Sequence, residues 1–277
     1  MTDFYTVARQ ATDLFCTFSD EKPAAVDIGI PAIRSRIGRL FAGNTVVVGA
    51  AQNVGKTSFV QRMLLSSEDK GGVASGEDDV DVWGTRILAE FSGVSPAKIR
   101  TDELYPDERA RVRRALETLE ERSAEGTLPE FENVIGAGLD RLEEAAESLA
   151  AKGCKYAVLD YIQKFRGIHA ERRHEVAGVL AHWHKCCSKN GMVPVALSQV
   201  VRMPADQEPN PWNLKESGDI ENEARLILML WRDPGDNLVM RCKVAKSSFG
   251  GGGLRFAYRF GEDETLGTYD PDAREEF

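Results

Sequence analysis

Cysteine is scarce in this chain: it holds five, Cys16, Cys154, Cys186, Cys187 and Cys242. They are odd in number, scattered and without CxxC spacing. That argues against a disulfide framework and fits a reduced, cytoplasmic thiol set. Long apolar runs are missing too. No stretch is long enough to cross a bilayer and no signal-peptide pattern opens the chain, so no membrane partner is expected. Positive charge is in deficit, 35 Lys and Arg against 44 Asp and Glu, for a net charge of −9. This argues against a general nucleic-acid coat protein, while leaving room for phosphate contacts inside a channel. Apart from Gly250–Gly253, no repeat or low-complexity tract is visible.

What is present suits an α/β core. The 277 residues are 42% apolar and 29% charged, as in a globular protein, and suffice for one large domain. The densest signal is the stretch Thr45-Val-Val-Val-Gly-Ala50-Ala-Gln-Asn-Val-Gly55-Lys-Thr-Ser58. A β-branched run enters a small-residue turn ending in Gly55-Lys56-Thr57, and Ser58–Leu65 then reads as a helix. That is the layout of a phosphate-binding loop, with backbone N–H groups at a helix N-terminus facing an anion, a Lys on the terminal phosphates and a hydroxyl on Mg²⁺. Ala50 stands where the usual first Gly would be.

Elsewhere, residues 3–18 place Phe4, Val7, Ala11, Leu14, Phe15 and Phe18 on one helical face, and Asp20–Pro23 breaks it. Residues 24–43 read as an irregular lead-in, and Ser66–Asp79 as loop around a very short strand. Helical patterns cover 81–92, 106–125, 138–152 and 171–189. Apolar strands are expected at 156–160 and 192–200, followed by strand candidates at 226–231, 238–245 and 254–260 without intervening helices. Alternating helices and strands predict a mostly parallel twisted sheet with flanking helices, extended by C-terminal antiparallel hairpins.

Two strand ends carry chemistry. Asp160 closes Tyr156-Ala-Val-Leu, where α/β proteins bind ligands, and is placed to hold Mg²⁺ beside a phosphate loop. Gln199 closes Val195-Ala-Leu-Ser, where an amide can sense a γ-phosphate or its attacking water. His182-Trp-His184-Lys-Cys186-Cys187 invites a metal reading, but only His182 and Cys186 lie at i,i+4. The four do not converge, so a structural helix is the reading.

Taken in order, these stretches resemble the motor domain of the DnaB family of replicative helicases, RecA-like ATPases. The resemblance spans roughly 25–262. It rests on Val48–Thr57, Val158-Leu-Asp-Tyr-Ile-Gln-Lys-Phe-Arg-Gly167, Val193–Gln199, Leu214-Lys-Glu-Ser-Gly-Asp-Ile-Glu-Asn-Glu-Ala224, Leu230-Trp-Arg-Asp233 and Val244-Ala-Lys246. The family's phosphate loop also begins with Ala. The resemblance implies a RecA-like P-loop NTPase domain at 23–277, preceded at 1–22 by a helix that either docks on an adjacent subunit or packs on its own core. It also implies a short form without the family's N-terminal domain.

Ala51, Gln52, Asn53, Val54, Gly55, Lys56, Thr57 and Ser58 would then cradle ATP, with Thr57 and Asp160 on Mg²⁺ and Gln199 at the γ-phosphate. Ser75-Gly76-Glu77 is the counterpart of the family's Ser-Leu-Glu, making Glu77 the general base, with Asp78 as the alternative. Arg86 follows where the family also has an Arg. Lys215-Glu216-Ser217-Gly218 matches the loop that grips single-stranded DNA in the ring's pore. Lys246 matches the Lys of a Lys-x-Arg pair acting in trans, but Ser248 stands at the Arg position. A slow ATPase, another Arg (Arg241 or Arg202), or an Arg borrowed from a partner protein are the alternatives.

The function implied is an ATP-hydrolysing motor that forms a ring, expected to be a hexamer, on single-stranded DNA. It would be a helicase in replication, with a loader or primase as further partners. The alternative is a RecA-superfamily ATPase (loader, recombinase or regulator) that binds or loads onto DNA without processive unwinding.

Overall fold

The computed structural model describes residue 6 and residues 25–165, 172–201, 203–214 and 217–269, with backbone only at 172–174 and 217–219. The helix expected at 3–18 lies outside these residues apart from Thr6. Arg202, Lys215 and Glu216 also lie outside them.

Nine strands form one sheet in the order β3-β2-β4-β5-β1-β6-β7-β8-β9. At its centre, β1 (Val46–Ala50) is buried along its whole length and pairs in parallel with β5 (Val193–Gln199) and β6 (Leu226–Arg232). Such near-continuous apolar runs are what a parallel strand covered on both faces requires. The parallel half continues through β4 (Tyr156–Asp160) and β2 (Gly71–Ser75) to β3 (Glu130–Asn133). On the other side, β7 (Val239–Ser247), β8 (Arg255–Phe260) and β9 (Leu266–Tyr269) run antiparallel, the hairpin extension expected from the absence of helices there.

The helices expected from periodicity are α3 (Val80–Ser92), α5 (Pro106–Ala124), α6 (Leu139–Ala151) and α7 (Arg172–Lys189), with α2 (Lys56–Ser66) after the phosphate loop. In α7 the stripe Val176, Val179, Leu180, Trp183 and Cys187 is buried, and the Trp183 indole N–H donates to the Val195 carbonyl of β5 at 3.2 Å. This confirms the structural reading of that helix. His184 hydrogen-bonds Thr45 at 2.7 Å, His182 meets the Leu139 carbonyl at 3.0 Å, and no metal-ligating cluster occurs among the described residues.

The structure corrects the expectations in five places, one of them the short helix α8 (Ser217–Glu223). The lead-in at 24–43 contains a helix, α1 (Pro31–Arg36), and α4 (Pro96–Thr101) follows α3. Both are short helices opened by Pro, too brief for a periodic signal. β3 went unseen because its residues Glu-Phe-Glu-Asn are those of a charged edge, a device that blocks further pairing. Its Glu132 meets Lys152 at 2.9 Å and Arg141 at 3.1 Å. β9 is the fourth, an edge strand of four residues.

β2 is a strand despite two glycines. A Cβ at Gly71 would fall 2.2 Å from the Tyr156 ring, and one at Gly72 would fall 2.6 Å from Leu149. Neighbouring side chains occupy that space, so packing overrides propensity here. No helix of the described residues is long and apolar enough to cross a membrane.

Candidate active site

The strand register brings the chemistry together. Ala50 pairs with Gln199 and Ser75 with Asp160, so β1, β2, β4 and β5 end at one edge of the sheet, in the crevice where open α/β sheets bind ligands. From Ala50 the chain turns through Gln52 and Asn53, both exposed, to Gly55. Gly55 is the N-cap of α2 with φ +106°, and a Cβ there would lie 2.8 Å from Phe260. A side chain is therefore excluded by backbone and by space. No side chain caps α2 and its first turn holds no carboxylate, which leaves the amides of that turn available to an anion. The Lys56 ammonium folds back on its own loop, 3.1 Å from the Ala51 carbonyl.

Asp160 is 1% exposed. Its Oδ2 accepts the Thr57 hydroxyl at 3.3 Å, while Oδ1 is buried without a hydrogen-bond partner. Burial, then the charges of Asp78 and Glu77, push its carboxyl up to about 7. An orphaned carboxylate oxygen beside a hydroxyl and two further carboxylates is an oxygen-rich arrangement suited to a hard divalent cation, whose charge would relieve the repulsion.

Glu77 and Asp78 leave β2 in a turn fastened by the Ser75 hydroxyl to the Asp78 carbonyl at 2.6 Å and by the Gly76 N–H to the Asp160 carbonyl at 2.7 Å. Lys164 approaches Glu77 at 3.3 Å, whereas Arg86 engages Asp78 at 2.7 Å.

Gln199 is held by Gln163, a residue whose role the sequence reading did not assign. Gln163 Oε1 accepts the Gln199 N–H at 3.1 Å, and its amide donates to the Ser198 hydroxyl at 2.9 Å.

A cavity of about 390 Å³ opens beside the loop, lined by Gly55, Ser58, Arg86, Arg232, Phe260 and Leu266 among others. Within it the Arg232 guanidinium lies 4.0 Å from the Phe260 ring centroid. Arg232 and Phe260 were also missed. They lie on β6 and β8, far along the chain from the loop, and no local spacing links them.

The family model described as the DnaB-like helicase C terminal domain matches residues 26–248. The chain belongs to this family. It is 25% identical over 221 residues to the replicative DNA helicase DnaB of Geobacillus stearothermophilus, covering 74% of this chain and 47% of that protein. The chain thus spans about half the length of the curated relatives it matches. In fold it is similar to a solved DnaB-like replicative helicase, described with its interactions with primase (TM-score 0.78, 17% identity, 95% of this chain and 66% of that one). A solved structure described as an ATPase domain is also similar (TM-score 0.76, 19% identity, 96% of this chain and 97% of that one). The α/β expectation, with a mostly parallel sheet and antiparallel C-terminal strands, is met.

Within this DnaB-like chain, Lys246 lies at the other end of the sheet from its own phosphate loop. It pairs with Ile227, which pairs with Val47, so ~10 Å of strand separates it from the level of Ala50. Its ammonium donates to the Glu221 carbonyl at the end of α8 (Ser217–Glu223). Ser248 N–H donates to the Arg225 carbonyl at 2.9 Å. Arg241, by contrast, sits nearer the phosphate end, opposite Trp231, with its guanidinium on Asp233. Ser217 and Gly218 open α8, and Lys215 and Glu216 precede them outside the described residues.

Proposed function

We propose that this protein is an ATP-hydrolysing, ring-forming motor that translocates on single-stranded DNA, a DNA helicase acting in replication. The carrying observation is the convergence of the uncapped phosphate loop, the orphaned Asp160 oxygen and the Gln163-clamped Gln199 at one edge of the sheet, in a chain of the DnaB-like family.

The amides of the loop and of the first turn of α2, from Ala51 to Ser58, receive the phosphates, and Lys56 swings from its loop carbonyls to the terminal ones. Thr57 and Asp160 would hold Mg²⁺. When bound, the cation neutralises charge developing on the β- and γ-oxygens. Glu77 orients and deprotonates the attacking water, and Gln199 reports the γ-phosphate to the loop that follows it. The base and sugar occupy the 390 Å³ cavity, the base stacking on Phe260 and Arg232 with Arg86 at the rim. Replacing Arg232 with Ala should weaken binding of a fluorescent ATP analogue about tenfold while leaving inorganic phosphate inhibition unchanged. Equal losses on both would remove Arg232 from the base site.

Lys215–Gly218 holds the DNA backbone by charge and amide, without reading sequence. Lys246, placed away from its own phosphate loop, serves the site of the neighbouring subunit in a hexamer, and residues 3–18 dock on that neighbour. Cytoplasmic location and a primase or loader partner complete this reading, the primase suggested by the relative solved in that context.

A second reading, an ATPase that loads onto or regulates DNA without processive unwinding, is favoured by Ser248 at the place of the trans-acting Arg. An ATPase assay with and without single-stranded DNA decides, beside a strand-displacement assay, a Lys56→Ala control and sizing with and without ATP. The motor predicts DNA-stimulated turnover, displacement and an ATP-dependent ring. Turnover without displacement supports the second reading, and a well-folded wild type that never hydrolyses ATP sinks both.

A further inference from the structure

The chain has four tryptophans, and three are buried: Trp83, Trp183 and Trp231. Trp212 is 70% exposed. A single exposed apolar side chain is ordinary, so its setting decides what it means.

Trp212 stands on a 3-10 turn, Pro211–Asn213, that is fixed on both sides. Asn210 N–H donates to Asn213 Oδ1 at 2.7 Å, and the Asn213 N–H returns to the Asn210 carbonyl at 2.8 Å. Val201 N–H donates to the Asn213 carbonyl at 2.7 Å, and Val200 and Leu214 form an antiparallel bridge. Leu214 is buried against Gly49 of β1, and Val200 N–H donates to the Ala50 carbonyl at 3.1 Å. Further out, Glu208 accepts from the two terminal guanidinium nitrogens of Arg255 at 2.8 Å and from the Lys243 ammonium at 2.7 Å. The loop is therefore tied to the strand ends that carry Gln199 and the phosphate loop, and it presents an indole to solvent from a hydrogen-bonded turn.

We propose that Trp212 is a stacking platform for the bases of single-stranded DNA. The proposal rests on the DNA-motor reading above and adds to it a contact made to bases rather than phosphates. Every base offers a π-face, so an indole adds affinity without sequence preference. A motor with a net charge of −9 draws little from bulk electrostatics, so stacking carries a larger share of its grip. In sequence, Trp212 precedes the proposed phosphate-gripping segment Lys215–Gly218 by three residues. An exposed indole also suits a contact between subunits, and the test separates the two.

The full chain, held with a non-hydrolysable ATP analogue, is titrated with labelled oligo(dT) and with an abasic deoxyribose-phosphate oligomer of equal length. Trp212→Ala should weaken oligo(dT) binding on the order of tenfold and leave abasic binding unchanged, while Trp212→Phe keeps most of the affinity. Since the other tryptophans are buried, oligo(dT) and not the abasic oligomer should quench the exposed fraction of intrinsic fluorescence. Equal loss on both oligomers, no loss on oligo(dT), or a change in oligomer size in Trp212→Ala would each overturn the proposal, the last by assigning the indole to a subunit contact. A wild type that binds neither oligomer would instead bring down the DNA reading itself, and the platform with it.

Discussion

Replacing Asp160 with Asn is expected to abolish ATP hydrolysis and, in the same protein without metal or nucleotide, to raise the melting temperature at pH 8 by several degrees. Both effects have one origin. The carboxyl is 1% exposed, has an oxygen without a partner, and faces the charges of Asp78 and Glu77. Its folded-state value of about 7 lies above the 3.8 of an ordinary Asp, so between those two pH values the folded protein holds a proton that the unfolded chain has released. Stability from this group is therefore present below about pH 4, falls as pH rises, and is fully lost above about pH 7. A rise of that size corresponds to roughly 4 kcal/mol at pH 8. Asn removes the charge and recovers part of that, because its own amide finds only the Thr57 hydroxyl nearby. Thermal melts in EDTA at pH 5 and pH 8 provide the check. The gain should be large at pH 8 and small at pH 5. A variant less stable than wild type at pH 8, or a gain independent of pH, would refute the electrostatic account. On the proposed function the buried charge has a use: the carboxylate that burdens the free protein is the one that would hold the cation.

The second large effect concerns the proposed general base. Glu77→Gln is expected to lower kcat by about 10²–10⁴-fold with little change in KM, the range for losing a positioned general base. Asp78→Asn is expected to lower kcat less and to raise KM. The difference lies in what each carboxylate already does. Asp78 is occupied by Arg86 at 2.7 Å, and its backbone carbonyl is fastened to Ser75, so it shapes the turn and holds Arg86 at the rim of the cavity. Glu77 is more exposed and meets Lys164 at 3.3 Å, at the mouth of the crevice beside Asp160. Steady-state kinetics on both variants settle the roles. A larger kcat loss in Asp78→Asn than in Glu77→Gln would transfer the base to Asp78.

Much of this site is legible in sequence because its parts are local. A buried strand, a tight turn and a helix N-terminus follow one another within Val46–Ser66, and each leaves a composition mark. Asp160 and Gln199 are legible because each ends an apolar run, and the ends of parallel strands in one sheet necessarily meet at one edge. The C-terminal antiparallel strands follow from the absence of helices between them.

Contacts between distant segments leave no such mark. β3 is a strand because an edge tolerates the charges that a central strand does not, and the very short strand expected within Ser66–Asp79 is secured as β2 by Tyr156 and Leu149, which fill the space over Gly71 and Gly72. The Gln163 clamp on Gln199 joins two strand ends, and the Arg232–Phe260 pair reaches the phosphate loop from β6 and β8. The sequence alone thus determined the strand, loop and helix laid out as a phosphate-binding loop, since short-range periodicity and backbone sterics suffice for them. Only the tertiary structure decided what lines the cavity beside that loop, that Lys246 lies away from its own phosphate loop, and that Trp212 is the tryptophan left in water, because burial and register depend on which distant side chains come to share a space.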